Sequence, residues 1–232
     1  MSDPILVPFD HTYILYDPRD PLSLVFALCS LYPIGVLVFY FSWFVTTREI
    51  EAVIIAGGHV VNDLFNVIAK NFLKHSRPGS IHTKFGSGHG FGYGMPSAHS
   101  QFMGFLSFYF ILKVWLQWEN IRYNRTYKVC GTLALLFSAA VVVMSRLYLE
   151  YHSVNQVIVG YLFGGLLGCG YFCVISIART VGFIRWITSW RFCQLLQVRD
   201  SWVEGGLSLK QTRERWEQES NERCEMQERK RI

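Results

Sequence analysis

The chain has 232 residues, of which 51% are hydrophobic, 16% aromatic and only 17% charged, with a net charge of +5. An ordinary soluble domain is about one-quarter charged, so this composition argues against a soluble enzyme. It also argues against a disordered chain, a collagen-like chain or a disulfide miniprotein, and the expected class is one polytopic membrane domain with a charged tail.

The N-terminal stretch MSDPILVPFDHTYILYDPRDP lacks a basic start and is broken by Pro and Asp, so it does not read as a signal peptide. Leu22–Val45 is the first clear span, bounded by Pro21 and by Thr46-Thr47-Arg48-Glu49. Residues 51–72 follow and carry His59, Asn62, Asp63, Asn66 and Lys70, which fall on one helical face opposite Val, Ile, Ala, Leu and Phe. We read this as a span whose polar stripe faces the bundle interior, since intramembrane ionisable groups are costly and usually functional. A soluble amphipathic helix lying on the membrane is the alternative. His59 and Asp63 read as a buried pair, with a polar path to a site as the other reading.

Spans are next expected at 101–118, 129–148 and 154–178. The aromatics of the run Phe102–Trp118 are expected to face lipid. In the last run Gly160, Gly164 and Gly168 recur every four residues, a spacing that lets a neighbouring helix approach closely. Residues 181–198 carry Arg185, Trp186, Trp190 and Arg191 and suit an interfacial helix. Residues 200–232 alternate Glu with Arg and Lys and read as a solvated tail. The fold class is therefore all-α, a polytopic transmembrane bundle of about five spans over residues 1–199.

Arg48, the loop cations Arg122, Arg125 and Lys128, and Arg179 with Arg185 share one side in a five-span chain, which the charge rule makes cytosolic. The sequon at Asn124 then lies in the cytosol and stays unmodified. The opposite side carries Lys70, Lys74, Arg77 and Lys84, an exception that a site needing cations explains.

Three polar groups sit at span ends on that opposite side: Lys70 with Arg77-Pro78, Pro96-Ser97-Ala98-His99, and Ser145-Arg146 with His152. Bundle packing brings them together. Physically they form an anion site. Arg binds phosphate as a planar fork and Lys as a point charge. Ser97 and the N–H groups opening the next helix add donors. One histidine can attack phosphorus while the other protonates the leaving group, and phosphoryl transfer is stabilised by a cradle of cations. Neither a metal nor a cofactor is called for by any carboxylate cluster, none of the six cysteines forms a ligand set, and no basic-aromatic patch suggests nucleic acid.

KNFLKHSRP, PSAHS and SRLYLEYH resemble, in order and spacing, the three-part signature of the type 2 phosphatidic acid phosphatase superfamily. YGMPSAHSQFMGF, VPFDHTYILYD and SRLYLEYHSVNQVIVG are similar more closely to its dolichyl diphosphatases, over most of the chain up to the tail. The resemblance implies a metal-free enzyme in which His152 is the nucleophile and His99 protonates the leaving phosphate. It makes Lys70, Arg77, Ser97 and Arg146 the phosphate ligands. The acidic last position of the third motif is Gln156 here, a residue able to accept the imidazole N–H but bringing no charge, and Glu150 is a candidate to supply the missing charge.

The resemblance further implies a polyprenyl (dolichyl) diphosphate lipid as substrate, an endoplasmic reticulum membrane with the site lumenal and the C-terminus cytosolic, and carrier recycling for protein N-glycosylation. Another lipid phosphate, a non-catalytic lipid-diphosphate-binding subunit and a transporter along His59–Lys70 are the alternatives. His11, His75, His82 and His89 read as structural or exposed, and the alternating glycines of Phe85–Gly94 as a lid or a plain connector.

Overall fold

In a computed structural model of the chain, residues 7–9, 14–78, 93–117, 125–200 and 218 are described. The expected tail beyond Asp200, most of the glycine-rich run, the Asn124 sequon, His11, His82 and His89 lie outside the described residues. A short antiparallel pair, β1 (Val7–Phe9) with β2 (Ile14–Tyr16), precedes an otherwise helical chain.

The expected span 22–45 falls within Pro21–Thr47, which is long and apolar enough to cross a membrane, and it is interrupted at Ser30–Leu31. Helix α1 (Pro21–Cys29) starts at Asp20, whose carboxylate accepts from the Leu22 N–H, with Pro21 preset for a first turn. It stops at Ser30–Leu31, and α2 (Tyr32–Thr47) begins anew with Pro33 in its first turn. Proline offers no N–H and its ring clashes with the preceding turn, which is the physical reason for the break. α1 then lies against the C-terminal turn of α5, with the Phe26 ring tilted 40° to that of Tyr148 at a centroid distance of 4.8 Å.

Helix α3 (Ile50–Leu73) ends at Lys74 in the left-handed region, φ 47°. Its polar stripe is split: His59, Asn62 and Asn66 are buried and Lys70 is half-buried, but Asp63 is exposed. The expected His59–Asp63 pair is therefore not formed. His59 instead stacks on Phe102 at 3.8 Å and lies 3.4 Å from the Tyr40 hydroxyl.

α4 (Ala98–Leu112) continues as one π turn (Lys113–Gln117). It is the central helix. Met103, Phe105, Leu106 and Tyr109 are buried in a core with Tyr40, Ile55, Val142 and Phe172. Phe105 and Tyr109, expected to face lipid, thus point inward, Phe102, Phe108 and Phe110 are half-buried, and Trp115 and Leu116 are exposed. α4 packs on α6 (Val154–Thr180) through the small-residue stripe that the spacing predicts. A Cβ on Gly160 would stand 2.7 Å from the Ser97 carbonyl oxygen, and one on Gly168 2.7 Å from that of Phe105.

α5 (Arg125–Tyr148) completes the bundle. Four stretches are long and apolar enough to cross a membrane: Pro21–Thr47, Ile50–Leu73, Arg125–Tyr148 and Val154–Thr180. Residues 181–198 form two short helices rather than one, α7 (Phe183–Thr188) and α8 (Arg191–Leu195), separated at Ser189–Trp190.

Charges collect at two ends of the bundle. At one end Glu51 bonds Lys113 at 2.6 Å, Arg179 at 2.5 Å and the Tyr109 hydroxyl at 2.8 Å, and Arg179 reaches Asp200 at 3.3 Å. Arg199 pairs with Glu49 at 2.8 Å, which holds the segment after α8 against the α2–α3 corner. The other end carries the three motifs.

Candidate active site

The third motif forms because α5 ends and α6 starts within five residues. Glu150 takes a positive φ of 57° at the turn, and the Tyr151 and His152 N–H groups return to the Arg146 carbonyl at 3.0 and 3.3 Å. Ser153 and Gln156 stand in the spacing of a capping box, the Ser153 N–H donating to Gln156 Oε1 at 3.2 Å. That same oxygen accepts from His152 Nδ1 at 3.1 Å. The amide cannot be reversed, because its nitrogen donates to the Ser76 carbonyl at 2.7 Å and an oxygen there would face an oxygen. With Nδ1–H committed, His152 presents the lone pair of Nε2. Burial, then the guanidinium groups of Arg77 and Arg146, push its pKa down to about 3, so the imidazole is neutral and nucleophilic at ordinary pH. Glu150 is exposed and forms neither a hydrogen bond nor an ion pair with His152 among the described residues.

Ser97 begins α4 and is completely buried. Its N–H donates to the Gln156 carbonyl at 3.1 Å, and its hydroxyl accepts from Ser100 at 3.2 Å without capping its own helix. The Ser97 O–H and the first-turn N–H groups therefore remain for an anion. His99 gives its Nε2 proton to the Ser30 carbonyl at 3.2 Å, which leaves Nδ1 as the position for a transferable proton.

Arg146 is buried, with Nη1 on the Ser30 hydroxyl at 3.0 Å and its guanidinium 4.1 Å over the Tyr151 ring. Its Nε has no hydrogen-bond partner and no carboxylate pairs with it among the described residues. A buried guanidinium left in that state is costly unless an anionic ligand completes it. Arg77 and Lys70 add to the same field, since both act on His152 and Lys70 also feels Arg77. All seven residues expected from the sequence thus belong to one end of the bundle.

Several contributions were not anticipated. Ser30 serves both His99 and Arg146 and also meets Ser145 at 3.2 Å; Pro33 in the sequence signals the break that frees it. Gln101 and Asn66 form a buried amide ladder, with Asn66 Nδ2 donating to Gln101 Oε1 at 2.7 Å and to the Pro96 carbonyl at 3.2 Å. Gln101 Nε2 passes the chain on to Asn62 at 3.0 Å. Tyr151 ties β2 to the third motif by accepting from the Leu15 N–H at 2.9 Å. His75, expected to be only structural or exposed, is exposed but lies with Nδ1 3.1 Å from Gln156 Nε2 and 3.0 Å from the Ser76 carbonyl.

Residues 51–179 match the model of the PAP2 superfamily. Dolichyldiphosphatase of Saccharomyces cerevisiae is 45% identical over 222 residues, covering 95% of this chain and 92% of that protein. Human dolichyldiphosphatase 1 is 34% identical over 199 residues, covering 84% of this chain and 82% of that one. The crystal structure of a transmembrane PAP2-type phosphatidylglycerolphosphate phosphatase from Bacillus subtilis superposes with a TM-score of 0.52 over 75% of this chain and 82% of that one, at 19% identity, and so shares the fold. Three motifs joined at one end of a membrane bundle, a matching family model and similarity over nearly the whole chain agree: this is a multi-pass membrane protein of the PAP2 superfamily, similar along its length to dolichyldiphosphatases.

Proposed function

We propose that this membrane lipid phosphatase hydrolyses dolichyl diphosphate to dolichyl phosphate and inorganic phosphate, without a metal or cofactor. The relatives' activity supplies the substrate name. The observation that carries the chemistry is Arg146, a buried cation with no carboxylate partner among the described residues, beside a neutral histidine of fixed tautomer. In the proposed reaction His152 Nε2 attacks the terminal phosphorus. The bond from that phosphorus to the bridging oxygen breaks, and His99, kept protonated at Nδ1 by the negative charge of the bound diphosphate, gives that proton to the oxygen. Water then attacks the phosphohistidine, His99 takes a proton from it, and the N–P bond breaks to free His152. Lys70, Arg77, Ser97 and Arg146 hold the phosphate oxygens throughout. Gln156 orients His152 and supports its positive charge only through a neutral dipole.

The setting follows from the same reading. α4 and its π turn together have 20 residues and form a fifth span of roughly 30 Å. The catalytic end then faces the lumen of the endoplasmic reticulum, the C-terminus is cytosolic, and the product returns to the carrier pool for protein N-glycosylation.

The test is phosphate release by purified protein in detergent with EDTA, from dolichyl diphosphate and from phosphatidate, beside His152→Ala. Release by the wild type alone, with the diphosphate preferred, is expected. Preference for phosphatidate overturns the substrate assignment; equal release by His152→Ala overturns the nucleophile. A glycan on Asn124 in cells overturns the orientation.

A further inference from the structure

Gln156 is almost wholly buried (1% exposed) and contacts all three motifs with three different groups. Its side-chain oxygen accepts from His152 in the third motif at 3.1 Å. Its main-chain carbonyl accepts from the Ser97 N–H in the second at 3.1 Å. Its amide nitrogen donates to Ser76 O at 2.7 Å and lies 3.1 Å from His75 Nδ1, which itself stands 3.0 Å from the Ser76 carbonyl; these are the two residues before Arg77 in the first. The amide half is thus directed at the loop that carries a phosphate-binding guanidinium. Gly94 closes this corner: its N–H donates to the His75 carbonyl at 2.7 Å, and a Cβ there would stand 2.7 Å from Gln156 Nε2 and 3.0 Å from Arg77 Cγ.

A carboxylate in this position could still accept from His152. It could not donate to Ser76, and its second oxygen would face a carbonyl oxygen. An acidic residue at this position and the Gln of this chain are thus different devices. We propose that Gln156 is a positioning residue for Arg77 as well as for His152, and that its amide nitrogen couples the phosphate-binding loop of the first motif to the nucleophile. The inference rests on the reading of His152 as nucleophile and Arg77 as phosphate ligand.

The experiment measures kcat and KM for phosphate release by the full chain in detergent. Gln156→Glu keeps the oxygen facing His152 and removes the –NH2. It is combined in double-mutant cycles with Arg77→Ala and, separately, Lys70→Ala. The expected result is a KM raised at least tenfold with kcat within about threefold of wild type. Arg77→Ala absorbs that KM effect, whereas Lys70→Ala multiplies with it. Added negative charge repelling the substrate would instead grow when Arg77 is removed. Gly94→Ala, which crowds the amide nitrogen without adding charge, gives the same KM effect, absorbed in the same way, and serves if the Glu variant is not monodisperse. An unchanged KM in both variants, or effects that multiply fully with Arg77→Ala, overturns the proposal. Wild-type-like release by His152→Ala would overturn the underlying reading instead.

Discussion

Gly164→Ala tests the packing that holds the catalytic end together. A Cβ at Gly164 would lie 2.7 Å from the carbonyl carbon of Gln101 and 2.9 Å from its Cα, with the carbonyl oxygen nearer still. Ordinary carbon contacts begin at about 3.5 Å, so α4 and α6 must part by about 0.8 Å or more. The obstacle is main chain and has no rotamer to change. Overpacking costs about 1–3 kcal/mol and occasionally more; a rigid obstacle belongs at the upper end, so we expect about 3 kcal/mol. For a chain of this size that is about 6–12 °C in melting temperature. Gly170, on the same helix, has nothing within 4 Å of its Cβ. Gly170→Ala should therefore gain up to about 1 kcal/mol from helix propensity alone. Melting in detergent by intrinsic fluorescence compares the two. The parting would also stretch the Ser97–Gln156 bond of 3.1 Å, so phosphate release should fall with stability for Gly164→Ala only. Equal melting shifts for the two variants would refute the close approach.

Three further outcomes follow from the described geometry. His152, held neutral by burial and by Arg77 and Arg146, should be carbethoxylated at a slow rate that stays flat between pH 7 and 5 by peptide mass spectrometry; a free imidazole of pKa about 6.5 becomes largely protonated and loses reactivity over that range, and a parallel loss at His152 would contradict the depressed value. Asn66→Leu leaves the Pro96 carbonyl and Gln101 Oε1 buried without their donor, so it should cost about 2 kcal/mol or more and lower kcat by displacing Ser97 and His99, read by melting and steady-state kinetics together. Glu51→Gln removes the charge that pairs Lys113 and Arg179 at the far end, so it should destabilise by about 3–5 kcal/mol while kcat and KM, measured well below the melting point, stay at wild-type values.

The three motifs were readable because their chemistry is written in residue types at fixed spacing. Lys70, Arg77, Ser97, His99, Arg146 and His152 could be placed together from span ends alone. Ser30 could not, because its two services, a main-chain carbonyl to His99 and a hydroxyl to Arg146, have no residue-type signature. The break that frees its carbonyl did have one in Pro33, masked by an otherwise continuous apolar run. The burial of α4 was hidden for a different reason. In a membrane the core is as apolar as the lipid, so Phe105 and Tyr109 look the same in either place. Asp63 lay at the edge of the polar stripe of α3, and a helical face leaves its edge positions to be decided by neighbours. His75 was read from type alone, and its role depends on where Gln156 reaches from 81 residues away.

The break at Ser30 has a consequence for the bilayer. α2 alone has 16 residues, so it is about 24 Å long, against roughly 30 Å of hydrocarbon. α1 packs beside the C-terminal end of α5, with Phe26 next to Tyr148 and Ser30 next to Ser145. Such hydrophobic mismatch is relieved by tilt or by local thinning of the lipid. Thinning on the α2 side would bring a lipid headgroup toward Ser30, His99 and Arg146, so phosphate release in bilayers of increasing acyl-chain length is the measurement that reads this mismatch.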